Sequence, residues 1–206
     1  MVRPAFHYGT DHFVKLKIVL HLQFTYNCET ILQIFIMNKA IFLDRDGVLN
    51  EERGDYTWRK EDFIIRPDVP EALSLLKNAG FLLIIITNQG GINKGLYTAT
   101  DVLNCHQILQ EKCNFLLDAL YYSPYHQDFT QSLSRKPNSL LLERAISHFS
   151  IDVTRSYMIG DSPRDLEAAA KVGVKGIRIA PNNPENDENI YFNLLEATKK
   201  LSIRLF

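Results

Sequence analysis

The sequence is short of cysteine, has no marked excess of charge of either sign, and contains no long apolar run. Its three cysteines, Cys28, Cys105 and Cys113, make an odd number without metal-binding spacing. That pattern excludes a disulfide framework and fits a reduced, cytoplasmic setting. A formal net charge of -1 supplies no basic field of the kind that holds a nucleic-acid backbone. No apolar stretch approaches the roughly 20 residues that span a bilayer, so no transmembrane helix is expected. Lys15, Lys17, His21, Gln23, Asn27 and Glu29 interrupt the N-terminal stretch, which therefore lacks the apolar centre of a secretory signal. The expected partner is a small molecule, with neither nucleic acid nor membrane involved, and the chain is expected to act as a monomer.

What is present suffices for one substantial core, since 46% of 206 residues are hydrophobic. Residues 1–36 differ from the rest, being rich in His and aromatics without caps, turns or a sustained period. They end at a second methionine, Met37, three residues before a strong strand signal. The expectation is an N-terminal extension over 1–36 that takes no part in the fold, then a single domain over 37–206. An added strand pair is the competing reading, because Val14 to Phe24 alternates crudely between apolar and polar.

The domain is organised around Ala40-Ile41-Phe42-Leu43-Asp44-Arg45-Asp46-Gly47. A short run of strand formers stops at two aspartates one residue apart, followed by a glycine that permits a sharp turn. This reads as a buried strand delivering carboxylates to its carboxyl end, the edge where open α/β sheets bind ligands. Carboxylates so close repel unless a proton or a cation intervenes, and magnesium suits such oxygen ligands. A solvated Asp-x-Asp-Gly turn is the bland alternative.

Further along, Glu51 to Asp62 reads as a loop over that strand end, and Glu71 to Asn78 as an amphipathic helix closed by Gly80. Phe81 to Ile86 is a continuous apolar run suited to a parallel strand covered on both faces. It leads into Thr87-Asn88-Gln89-Gly90-Gly91-Ile92-Asn93-Lys94-Gly95, where backbone amides and the Thr87 hydroxyl suggest a phosphate cradle, or simply a polar loop. A helix capped by Thr100 or Asp101 and running to about Phe115 follows, then a strand over Ala119 to Tyr122. Arg135 and Lys136 precede a helix over Asn138 to His148 and are placed to receive an anion, though a solvated charge pair reads equally simply. Ser156 to Ile159 forms a strand ending in Gly160-Asp161, with Asp165 just beyond. A helix over Leu166 to Val172, a strand over Val174 to Ala180 and a tail helix over Ile190 to Leu201 complete the chain. Alternating strands and helices predict an α/β fold, a mostly parallel central sheet covered on both faces. Such a sheet brings the clusters at Asp44/Asp46, Thr87 and Asp161 to one edge.

In that order and on those elements, the residues resemble the haloacid dehalogenase superfamily of phosphatases, a three-layer Rossmann-like family. Asp44-x-Asp46 resembles its first motif, Thr87 its second, Lys136 its third, and Gly160-Asp161 with Asp165 its fourth. Asp44-Arg45-Asp46-Gly47, Thr87-Asn88-Gln89 and Arg135-Lys136-Pro137 are similar to the subgroup holding heptose-bisphosphate and histidinol-phosphate phosphatases. The run Gly91 to Thr98 is closer to the heptose enzymes. The resemblance implies a magnesium-dependent phosphatase acting on a small phosphorylated sugar, with removal of the 7-phosphate of D-glycero-D-manno-heptose 1,7-bisphosphate as the leading expectation. Histidinol phosphate is the alternative substrate, and a non-catalytic interaction protein the alternative class. A polynucleotide 3′-phosphatase shares similar motifs, but this near-neutral chain shows no basic groove.

The resemblance also implies roles. Asp44 would be the nucleophile and Asp46 the general acid and base, with Thr87 and Lys136 stabilising the transferring phosphoryl group. Asn88, Gln89 and Arg135 would bind substrate, Arg135 gripping a second phosphate. Magnesium would be held by the Asp44 carboxylate, the Asp46 backbone carbonyl and Asp161, while Asp165 orients Lys136 or the metal shell. The family's zinc-binding Cys and His positions are here Ser123, Tyr125, Ser132 and Ser134, and His126 alone makes no site, so no zinc is expected. The intervals from Asp46 to Thr87 and from Thr87 to Lys136 leave no room for a large cap domain. Specificity is therefore expected from loops near Tyr56, Lys94 and Arg135.

Overall fold

The computed structural model describes residues 37–181 and 189–205, the last four of them by backbone alone. The expected extension over 1–36 lies outside the described residues, whereas Asn38–Phe206 forms a unit of its own. Six strands, β1 (Ala40–Leu43), β2 (Leu82–Asn88), β3 (Ala119–Ser123), β4 (Tyr157–Gly160), β5 (Lys175–Ile179) and β6 (Ile190–Tyr191), make one parallel sheet in the order β3-β2-β1-β4-β5-β6. Among the described residues the α-helices are α1 (Val69–Asn78), α2 (Ala99–Lys112), α3 (Leu140–Phe149), α4 (Pro163–Lys171) and α5 (Leu194–Leu205).

Side chains of a strand alternate between faces, and the core divides accordingly. Ile41, Leu43, Leu83, Ile85, Ile159 and Ile177 pack with residues of α1, α2 and α5, among them Leu73, Leu109 and Leu194. Ala40, Phe42, Ile84, Ile86 and Met158 pack with Leu141, Leu142, Ala168 and Ala169 of α3 and α4. These are the three layers of the expected α/β fold. β1 lies between β2 and β4, at the place where successive connections change direction, so its carboxyl end opens onto a crevice.

Element starts differ from the sequence expectation where a cap outweighed the apolar pattern. α2 is capped by Thr98, not by Thr100 or Asp101: the Thr98 side chain accepts from Asp101 N–H and Asp101 reaches back to Thr98 N–H. α4 begins at Pro163 because Ser162 and Asp165 form a second capping box and proline suits a first helical turn. The expected tail helix from Ile190 starts instead at Leu194, since Ile190 and Tyr191 pair with Arg178 and Ile179 as an edge strand.

Candidate active site

The sheet register brings the three polar clusters together. Leu43 lies opposite Ile85 of β2 and Ile159 of β4, so Asp44, Thr87 and Asp161 emerge at neighbouring strand ends. Asp44 is still pinned to the sheet through its N–H, which donates to Ile159 O at 2.9 Å.

Lys136 is the buried cation among them, 2% exposed. Its Nζ lies 2.9 Å from Asp44 Oδ1 and 2.7 Å from Asp165 Oδ1, and donates to Ile86 O at 2.7 Å. Burial alone disfavours the charged amine, but the carboxylates of Asp44 and Asp165 outweigh it and hold its pKa above the ordinary lysine value. Asn88 fixes the backbone of Lys136 at both polar groups, donating from Nδ2 to Lys136 O and accepting from Lys136 N–H, each at 3.0 Å.

Oxygens of Asp44, Asp161 and Asp165 lie within 4.8 Å of one another. Burial first, then the charges of Asp44 and Asp165, push Asp161 up to about 7. Burial and Asp44 likewise raise Asp165, against the opposing pull of Lys136. Asp165 is engaged at both ends, by Lys136 and by Ser162 N–H at 3.0 Å, but Asp161 Oδ1 is buried without a hydrogen-bond partner. An orphaned oxygen beside mutually repelling carboxylates suits a hard divalent cation, so the residues fit magnesium. Gly47 makes the cluster possible, since its φ is +79° and a Cβ there would stand 2.2 Å from Asp161 Oδ2.

Asp46 is held differently. Its carboxylate accepts from Arg45 Nη2 at 2.9 and 3.0 Å, from Asn50 Nδ2 at 3.0 Å and from Gln89 Nε2 at 3.1 Å. Arg45, 1% exposed, also donates to Thr57 O at 2.6 Å and lies over the Phe63 ring. Arg45 was not singled out in the sequence, although a cation between two aspartates at the end of a buried strand is a usable signal.

A cavity of about 750 Å³ covers the cluster, lined by Asp44, Asp46, Tyr56, Asn88, Gln89, Arg135 and Asp161 among the expected residues, and by Tyr97, Arg164 and Arg178 besides. Thr87, Lys136 and Asp165 are buried and do not line the cavity. Arg135 donates to Tyr125 O at 3.2 Å, and burial followed by the charge of Arg164 lowers its pKa.

In the glycine-rich run, N–H groups of Gln89, Ile92, Asn93, Lys94, Gly95 and Leu96 are taken by protein carbonyls, while Gly90 lines the cavity. Of the loop near Lys94, Gln89, Gly90 and Tyr97 line the cavity, whereas Lys94 itself sits 3.7 Å from Asp128 and over the Tyr56 ring. At the positions that the resemblance matches to zinc ligands, Ser134 Oγ lies 2.9 Å from both Ser123 Oγ and Ser132 Oγ, so hydroxyls cross-link this loop.

Residues 133–189 match the HAD-hydrolase-like family model. The D-glycero-beta-D-manno-heptose-1,7-bisphosphate 7-phosphatase of Helicobacter pylori strain J99 is 39% identical over 151 residues, 71% of this chain and 86% of that protein. The chain belongs to the HAD-like phosphatases. This family consists of phosphoric monoester hydrolases. A second HAD-like relative, D-glycero-D-manno-heptose-1,7-bisphosphate 7-phosphatase of Chlorobaculum tepidum, is 33% identical over 71% of this chain and 81% of its own length. The HAD fold itself recurs in the crystal structure of D,D-heptose 1,7-bisphosphate phosphatase from B. bronchiseptica, complexed with magnesium and phosphate. That structure has a TM-score of 0.73 at 24% identity, and the match covers 81% of this chain and 99% of that one. As in an uncapped HAD domain, the Asp46 to Thr87 interval holds one loop, a 3-10 turn, α1 and most of β2, and the next holds α2, β3 and a loop.

Proposed function

We propose that this HAD-like phosphatase removes the 7-phosphate of D-glycero-D-manno-heptose 1,7-bisphosphate through an aspartyl-phosphate on Asp44. The observation that carries the reading is the buried Asp44–Lys136–Asp165 assembly beside Asp161, in a chain whose relatives at 33 and 39% identity bear that activity in their names.

Asp44 Oδ1 accepts from Arg45 N–H at 2.8 Å and contacts Lys136, leaving Oδ2 without a donor and available to attack phosphorus. The P–O7 bond breaks as the O–P bond to Asp44 forms, and Asp46 gives its proton to O7 of the departing sugar. Water then attacks phosphorus, Asp46 takes the proton, and phosphate leaves with the Asp44 carboxylate restored. Lys136 holds the Asp44 carboxylate in place through the ion pair at Oδ1. Magnesium, bound by Asp44, Asp161 and the Asp46 carbonyl, would neutralise phosphate charge facing the anionic nucleophile. Arg135 is placed at the cavity wall to meet the phosphate that is not cleaved.

The test compares magnesium-dependent phosphate release from heptose 1,7-bisphosphate and from histidinol phosphate. A preference for the heptose is expected, and EDTA should abolish release. A preference for histidinol phosphate would reassign the substrate within the same chemistry. Absence of release from either would overturn the reading.

A further inference from the structure

Tyr97 stands just ahead of α2, 6% exposed, and reaches the reacting groups through one intermediary. Its hydroxyl donates to Gln89 Oε1 at 2.8 Å. Gln89, itself 1% exposed, passes the connection on through Nε2, which donates to Thr87 Oγ1 at 3.0 Å and to Asp46 Oδ2 at 3.1 Å.

An amide has one donating and one accepting end, so its orientation decides what its neighbours experience. Asp46 Oδ2 accepts from the NH2 end of Gln89, and the reversed amide would set Oε1 against Asp46 Oδ2. What holds the correct orientation is a donor on the opposite side, and Tyr97 is that donor. Resting on the reaction described above, we propose that Tyr97 is a positioning residue, locking the Gln89 amide so that its NH2 end faces Asp46 and Thr87.

Three observations support this. The Tyr97 ring is itself fixed, stacked on Trp58 at 6.1 Å and tilted against Tyr56 at 5.9 Å. It fits closely against Gly91, where a Cβ would stand 2.0 Å from Tyr97 Cε1. Burial raises the phenol's pKa well above its ordinary value, so the hydroxyl keeps its proton at any working pH. Because Thr87 Oγ1 accepts from Gln89, the Thr87 hydroxyl is held in one orientation as well. No proton travels along the chain: Asp46 exchanges its proton with the leaving oxygen and with water, while Gln89 and Tyr97 keep theirs.

The test is phosphate release from heptose 1,7-bisphosphate and from p-nitrophenyl phosphate by wild type, Tyr97→Phe, Gln89→Met and the double variant. Tyr97→Phe keeps the stacked ring and should lower kcat about 10-fold with KM moving less than about twofold. In the Gln89→Met background the same change should cost nothing more, a non-additivity that a merely structural role would not produce. An unchanged kcat in Tyr97→Phe, or fully additive losses, overturns the proposal. If Tyr97→Phe fails to fold, Gln89→Glu takes its place, since it keeps an acceptor for Tyr97 but removes the N–H toward Asp46; wild-type kcat in that variant also overturns it. A wild type inactive on both substrates removes the phosphatase reading first, and is thereby told apart from failure of the Tyr97 role alone.

Discussion

A lysine buried between two carboxylates ties the proposed chemistry to the stability of the fold. Replacing it by Lys136→Met leaves Asp44 and Asp165 facing each other without a cation. Removing one partner of such a buried pair costs about 3–5 kcal/mol, so thermal melts should show a marked loss of stability along with loss of phosphate release. Asp44→Asn keeps the volume but removes the proposed nucleophile, and should abolish turnover in a phosphate-release assay. Asp161 gives a dependence on pH. Its folded pKa of about 7 stands above the ordinary 3.8, so the folded state holds a proton that the unfolded chain has lost. Its contribution to the stability of the metal-free protein is therefore greatest at low pH and falls as pH rises from about 4 through about 7. Magnesium competes with that proton, and its affinity should rise over the same interval. Melting temperatures at pH 5 and pH 8, with EDTA and with magnesium, check both statements, and Asp161→Asn should flatten the difference.

At the scale of elements, the turn after β1 and the loop before α3 decide whether the site assembles. Gly47→Ala would place a methyl on Asp161 at a left-handed position, so it should destabilise the fold and weaken magnesium binding together, read by melting and by magnesium titration. Ser134→Ala removes the hub of the serine cross-links in the loop that carries Arg135. It should raise KM for the bisphosphate more than it lowers kcat, and metal analysis of the wild type should find no bound zinc. These elements were unevenly legible in the sequence. Apolar runs ending in Asp44, Thr87 and Asp161 announced β1, β2 and β4, because a strand buried on both faces leaves a continuous signal. Helix starts were less legible, since capping boxes at Thr98 and Ser162 lie outside the apolar pattern. The partners of Asn88 and Gln89 were not legible at all: Lys136 is 48 positions away and Asp46 is 43, and only the register joins them. Both amides therefore read as substrate ligands although their polar atoms are largely engaged with the protein.

For the molecule as a whole, Asn38–Phe206 stands as a unit of its own, and a protein begun at Met37 is expected to retain magnesium-dependent phosphatase activity. A clear fall in its solubility or melting temperature would assign residues 1–36 a part in the fold. The described residues contain no helix long and apolar enough to cross a membrane. They also contain no cap between the motif-bearing strands, and this absence has a kinetic consequence. A covered phosphatase must open and close in each cycle, and such movements often limit turnover. Here the wall of the cleft is built from strand ends and the loops around Tyr56 and His126, with no inserted domain that has to open before the ester arrives. Steady-state turnover should consequently respond to the leaving group's acidity far more than to the viscosity of the medium.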